Sequence, residues 1–446
     1  RVDWASAMNR QIQMTAPDTE TEARFVKIAE GLKKRHAASR RLKTYGLMAI
    51  VTAISFLMIL MGTIITNGYT ALQQTELQVE LAIPMEKLQD SDGTIDLFKS
   101  RDFNWNGLIK KAFLSGFPEA TSMLEKRALG DLLSKNAGYD LRMQIERNDV
   151  IPAGKIKLWV KTSDDVDMLM KGRLDRSVDE TQRRLSDQQI IWVDDLTADD
   201  RVRLVFNKTF FTSADSREPE SSGVLGATVG SAMALFITVL LALPLAVMAA
   251  VYLEYFAPPG RLTDFIEVNI NNLAAVPSIV FGLLGLAVFL GFFGMPRSAP
   301  LVGGMVLALM TLPTIIIATR ASIRAVPTSI RDAALGLGAS RMQAATDHVL
   351  PLAAPGILTG TIIGIAQALG ETAPLIMIGM VAFIVDVPNN LTDPATALPV
   401  QIYIWSDSAE RAFYERSSLA IMVLLSFLIT MNISAVLLRR KFEKKW

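Results

Sequence analysis

Half of this 446-residue chain is apolar and its mean hydropathy is positive, which is more than a soluble domain carries. Its 45 Lys and Arg balance 44 Asp and Glu to a net charge of +1, so there is no electrostatic footprint for nucleic acid. With no cysteine and only two histidines, His36 and His348, the composition excludes disulfides, thiolate zinc sites, thiol catalysis and a histidine metal cage.

Residues 1–44 form a basic region. Thr19 and Glu22 have capping-box spacing, and Phe25, Ile28, Ala29 and Leu32 recur at helical spacing, which predicts an amphipathic helix. Residues before Thr19 read equally well as a basic tail. The first apolar segment, residues 45–66, is too long for a signal core and is long enough to span a bilayer of roughly 30 Å.

Residues 67–222 differ in kind: charge is frequent and no apolar run reaches spanning length. A stretch of this size can bury a core of its own. Alternation predicts strands at Thr75–Ile83, Lys155–Val160 and Val202–Phe211. Helices are expected at Asn106–Leu114, Ala120–Leu133, Asp164–Leu174 and Asp179–Asp187. The polar stretch around Ser91 reads as an exposed turn, and Thr212–Gly223 as a linker back to the membrane.

Residues 223–438 carry five more spans, near Val224–Tyr252, Leu273–Phe293, Leu301–Thr319, Pro355–Phe383 and Ser418–Leu438, and 439–446 form a basic tail. Lys33, Lys34, Arg35, Arg40, Arg41 and Lys43 precede the first span; Arg439, Arg440, Lys441, Lys444 and Lys445 follow the last. The positive-inside rule places both termini in the cytoplasm and the 67–222 domain outside. The expected fold is therefore an all-α membrane protein of six transmembrane helices with an inserted soluble α+β domain.

Between the fourth and fifth spans lies Arg331-Asp332-Ala333-Ala334-Leu335-Gly336-Leu337-Gly338, followed by His348-Val349-Leu350-Pro351. A short helix, a glycine turn and a second, proline-started helix make a docking element. The stretch resembles the cytoplasmic coupling loop of ABC-importer permeases, E-A-A-x-x-x-G, nine residues, I-x-L-P, with Asp332 for Glu and His348 for Ile. From about Leu225 onward the chain resembles phosphate-specific ABC transporter permeases. That likeness rests on Ala275-Val276-Pro277-Ser278-Ile279-Val280-Phe281-Gly282, Leu312-Pro313-Thr314, Val326-Pro327, Gly370-Glu371-Thr372-Ala373-Pro374-Leu375 and Leu398-Pro399. The inserted domain is not part of the minimal pattern.

The resemblance implies a six-helix permease fold, docking of Asp332, Ala333, Ala334, Gly338, Leu350 and Pro351 on an ATPase, and transport by alternating access at the bacterial inner membrane. It implies a second permease subunit, two ATPase subunits and an extracytoplasmic phosphate-binding protein as partners. The chain has no G-x-x-x-x-G-K-[ST] loop, so ATP and Mg are expected on the partner ATPase and no cofactor here.

Glu371 is an ionisable residue inside an apolar run, which marks it either for the substrate pathway or for a structural pairing, with Arg320 the first partner considered. Thr372 and Thr314 are candidate hydrogen-bond donors to substrate. The family pattern often has a basic residue where Gln367 stands and Arg where Ile317 stands, so Arg320, Arg324 or a second subunit would have to supply the cation. Other readings remain open: a permease for sulfate, molybdate or phosphonate, and a membrane sensor or scaffold with an outer input domain. A sensor would need a cytoplasmic signalling domain, and the cytoplasmic segments are short.

Overall fold

A computed structural model describes residues 19–84, 88, 97–147 and 155–442. The tail before Thr19, the turn at Ser91 and the basic residues Lys444 and Lys445 lie outside the described residues. The chain divides into two units, Arg1–Thr63 and Ile64–Trp446. The first is dominated by helix α1, Thr19–Gly68, which runs without interruption from the expected amphipathic segment into the expected span. Its apolar side chains from Leu42 to Leu60 are exposed, as a lipid-facing helix requires.

The second unit begins with the inserted domain. Its sheet has strand order β2-β1-β3, all antiparallel, with β1 Gln73–Ala82 central, β2 Lys155–Lys161 and β3 Val202–Phe206. Thr75, Leu77, Val79 and Leu81 alternate inward from β1. Helices α2 Leu97–Asp102, α3 Trp105–Leu114, α4 Met123–Gly130, α5 Ala137–Arg147, α6 Asp164–Met170 and α7 Asp187–Ala198 build around it. Leu77, Val79, Ile109, Phe113, Leu129, Val166, Val193 and Leu196 form its core.

The expected strand Val202–Phe211 stops at Phe206. Asn207 caps a helix, α8 Lys208–Thr212, by accepting from the Phe210 N–H. The expected helix Asp179–Asp187 is replaced by a short turn, Glu180–Gln182, and α7 starts where that helix was to end. There Ser186 and Gln189 form a reciprocal capping box.

The membrane core follows, with α9 Leu225–Val251, α10 Arg261–Ala274, α11 Ser278–Gly285, α12 Pro300–Arg324, α13 Thr328–Gly336, α14 Arg341–Gln343, α15 Leu350–Gly370, α16 Ala373–Met377, α17 Leu398–Ser406 and α18 Arg411–Phe442. Among the described residues, five helices, α1 included, are long and apolar enough to cross a membrane. The bent pair Arg261–Ala274 and Ser278–Phe292, at 101°, makes a sixth if it counts as one span. The core is held by small residues. Gly356, Gly360 and Gly364 repeat every four positions on α15 and meet Ser322, Ala318 and Ile315 of α12. Thr238 of α9 donates to the Gly304 carbonyl of α12 at 3.1 Å.

Thr212–Gly223 is no loose linker. Its Glu220 and Ser222 are buried, because the segment is clamped between the domain and the membrane core. Gln74 donates to the Glu220 carbonyl at 2.6 Å and Ser134 to its carboxylate at 2.5 Å. Arg416 of α18 donates to the Ser222 carbonyl at 3.1 Å. Beside it Lys171, 2% exposed, sits between Asp167 of the domain at 2.6 Å and Glu415 of α18 at 3.4 Å.

Two predictions follow from this junction. Lys171→Met leaves Asp167 and Glu415 buried without their cation, and should destabilise the purified protein by about 3–5 kcal/mol in thermal unfolding, part of it recovered by adding Glu415→Gln. Burial also lifts the Glu220 carboxyl from its ordinary 4.5 to about 7, with Ser134 and Arg416 opposing and Asp164 adding to the rise. A proton bound more tightly in the folded state gives stability that is full below pH 4.5 and is lost as pH rises through about 7. Glu220→Gln keeps a group that can accept from Ser134 and should flatten that fall. It should not abolish it, because Asp165 is lifted to about 6 by burial and by Asp164.

Candidate functional site: the coupling loop and the broken helices

Helix α12 ends at Arg324, and Val326-Pro327 turn the chain into α13. Pro327 cannot continue a helix from its N-terminal side but suits the position just before a new one. At the other end Gly338 takes φ +93. Its N–H reaches the Leu335 carbonyl and that of Ala339 the Ala334 carbonyl, both at 3.0 Å. This is a Schellman stop, which only a residue tolerant of positive φ closes without strain. Asp332, Ala333, Leu335 and Leu337 are exposed, Leu337 at 91%.

Two expectations change here. Ala334 is buried against its own chain, so it seats the helix from behind, and Ala333 is the one left free for a partner. The second helix starts at Arg341, after a Ser340–Gln343 capping box, rather than at Pro351. It passes through a wide turn, Ala344–Val349, just ahead of that proline. Ala345 and Val349, with half-buried Leu350, pack on Ala250, Val251 and Ile323 and so anchor the loop to α9 and α12. Pro351 is exposed.

A charge cluster that the sequence did not reveal sits beside the loop. Arg320 of α12 donates to Glu254 at 2.7 Å and to Glu267 of α10 at 2.5 Å. Arg324, one turn on, holds the same Glu254 at 2.9 Å. The pairing of Arg320 with Glu371 is therefore not formed. Arg320 is engaged by Glu267 of α10 and by Glu254 of the turn after α9, and Arg324, more exposed, by Glu254 alone. The spacing of Arg320 and Arg324 was the available signal, since residues four apart share one helix face.

The expected span Pro355–Phe383 is broken. Helix α15 ends at Gly370, Glu371 is extended (φ −78, ψ 130), and α16 is a separate short helix. Glu371 and Thr372 are half-buried at this break, and the Glu371 side chain makes no hydrogen bond or ion pair among the described residues. Gln367, one turn back, is exposed, as are Ile363 and Gly370. These positions share a face of α15 that the chain itself leaves uncovered. Thr314 is half-buried on α12, and its side chain makes no hydrogen bond to Glu371.

The two most selective motifs do meet. A Cβ on Gly282 would lie 2.7 Å from Pro374 Cα and 2.9 Å from Met377 Cβ, so only glycine lets α11 approach α16 this closely.

A family described as binding-protein-dependent transport system inner membrane component matches residues 242–446, and a domain of unknown function, DUF3333, matches residues 29–180. The probable ABC transporter permease protein YqgI of Bacillus subtilis (strain 168) is 32% identical over 206 residues, 44% of this chain and 69% of that protein. The phosphate transport system permease protein PstA 1 of Mycobacterium tuberculosis (strain CDC 1551 / Oshkosh) is 32% identical over 224 residues, 50% of this chain and 72% of its own. The phosphate transport system permease protein PstC of Pasteurella multocida (strain Pm70) is 30% identical over 253 residues, 51% of this chain and 77% of its own. The chain thus belongs to the family of ABC-transporter permeases that includes the phosphate transport system permeases.

Proposed function

We propose that this permease passes inorganic phosphate across the bacterial inner membrane and is driven by an ATPase docked on α13. The carrying observation is the exposed helix Thr328–Gly336, closed at Gly338, seated through buried Ala334, and followed by Ala345, Val349 and Leu350, which pack on the spanning helices α9 and α12. An exposed helix joined to two spans is what converts motion of a docked subunit into motion of the core.

In this reading the chain supplies half of the translocation path. ATP and Mg belong to the ATPase subunits, a second and homologous permease supplies the other half, and a binding protein delivers the anion from outside. Both termini face the cytoplasm and the inserted domain faces outward, in keeping with the basic residues that flank the first and last spans.

Phosphate is supported by the names of the relatives. A second reading, another oxyanion such as sulfate, molybdate or phosphonate, is favoured by the engagement of Arg320 and Arg324 and by neutral Gln367. Radiolabelled phosphate uptake by cells carrying the complete transporter should resist a large excess of sulfate or molybdate; competition at equal concentration would favour the second reading.

Two variants test the residues. Gly338→Val has open space around it, so its cost is the positive φ alone, about 1 kcal/mol or more. Membrane insertion should persist while uptake and ATPase co-purification fall; unchanged values for both would remove α13 from docking. Glu371→Gln keeps the shape of the break and removes its charge. Expression should be normal and phosphate uptake should change several-fold, whereas wild-type uptake would take Glu371 out of the pathway.

A further inference from the structure

We propose that the inserted domain rests on the lipid surface through an aromatic patch at the base of β3, made by Phe206 and Phe211 at the corner where Tyr69 enters the domain. The rings of Phe206 and Phe211 stack with centroids 5.8 Å apart and planes 2° apart, yet Phe206 is 58% and Phe211 37% exposed. Leu204, two positions earlier on the same strand face, is 42% exposed. An edge strand showing such a surface to water invites aggregation unless something covers it.

Its position says what covers it. Tyr69, 56% exposed, follows Gly68, the last residue of the spanning helix α1, and Gly68 lies against Leu419 and Met422 of α18. Gln73, where β1 starts, is the register partner of Phe206. Asn207 fixes this corner: its N–H reaches the Leu72 carbonyl at 2.8 Å and its side chain the Ala71 carbonyl at 3.0 Å. Phe211 stands edge-on to Phe210 at 5.1 Å, and Phe210 is fully buried among Val224 and Ala227 at the start of α9, Trp405 at the end of α17 and Leu419 where the apolar run of α18 begins.

The exposed pair is therefore one ring outward from the ends of the spans, at the level where the bilayer interface begins. Aromatic rings are favoured at that depth. Exposed Lys208, between the two rings in sequence, has a stem long enough to lie along apolar surface while its ammonium reaches lipid phosphates. Such seating would hold the domain upright on the membrane independently of which anion the permease carries.

The chain has no cysteine, so single introduced thiols report cleanly. Phe206→Cys, labelled with an environment-sensitive fluorophore, is placed in the full chain, purified with its accompanying subunits and reconstituted in phosphatidylethanolamine–phosphatidylglycerol vesicles. Lipids carrying a nitroxide near the headgroup should quench the label at least twofold more than lipids with the nitroxide deep in the chain, and aqueous iodide should quench weakly. Glu80→Cys, seven positions along β1 from Gln73 and so about 23 Å away, should respond to iodide alone. Lys208→Cys, treated in the same way, serves if Phe206→Cys does not fold. Quenching of the Phe206 label by iodide alone would place the patch in water. Quenching by neither agent would place it under a protein partner. Either result overturns the proposal.

Discussion

The buried ion pair chain Asp167–Lys171–Glu415 is the constraint on which the relation of the inserted domain to the membrane core depends. Taking an ammonium to 2% exposure is tolerable only when carboxylates meet it at short range. Asp167 is itself held by the N–H and hydroxyl of Thr75, each at 2.8 Å, so the network reaches into the central strand of the sheet. Glu415 and Arg416 are adjacent on α18, and Arg416 ties the same helix to Ser222. A domain fastened by fully desolvated charges does not swing freely on a hinge. It moves with the helix that carries its partners.

Helix α12 is fastened near Arg324 by a second, more exposed set of ion pairs. Arg320 and Arg324 bind the turn after α9 and, through Glu267, the bent helix α10. Immediately beyond them the chain enters α13. Force applied to α13 thus meets a joint in which α9, α10 and α12 are cross-linked by charge rather than by apolar contact alone. Along α12 the helices also touch closely at Gly304, Gly356, Gly360 and Gly364, with Thr238 donating to the Gly304 carbonyl and Arg439 to the Thr359 hydroxyl.

Much of this was legible in the sequence where a single physical signal dominates. Apolar length marked the spans, and period-two alternation marked β1 and β2 to within a residue or two. The losses share a cause. Val202–Phe211 looked like one strand because apolar residues continue past Asn207, yet its side chain caps a helix. Pro355–Phe383 looked like one span because hydropathy does not register a backbone break at Gly370-Glu371-Thr372. Thr212–Gly223 has the composition of a linker, but contacts with Gln74, Ser134 and Arg416, remote in sequence, bury it. The pairing of Arg320 with Glu254 and Glu267 is likewise a product of the bend after α9, which no local pattern announces. Of the candidate site, the turn at Gly338 was readable because glycine at a helix end has one common use. The inward seating of Ala334 was not, since it depends on where the wide turn Ala344–Val349 packs.

The break at Glu371 changes what a carboxylate there can mean. In an unbroken span it would be a desolvated charge in need of a cation. At a helix break it sits beside backbone groups that have left the helical ladder, which is the setting in which transporters form polar sites at membrane depth. Its neighbours on the uncovered face are neutral, Gln367 and Gly370, and the arginines of α12 are committed elsewhere. A negative group cannot by itself hold an anion. If the path carries phosphate, the favourable contacts must come from neutral donors such as Thr372 and Gln367 and from cations across that uncovered face, on another subunit. The carboxylate at this break is half-buried and has no cation among the described residues.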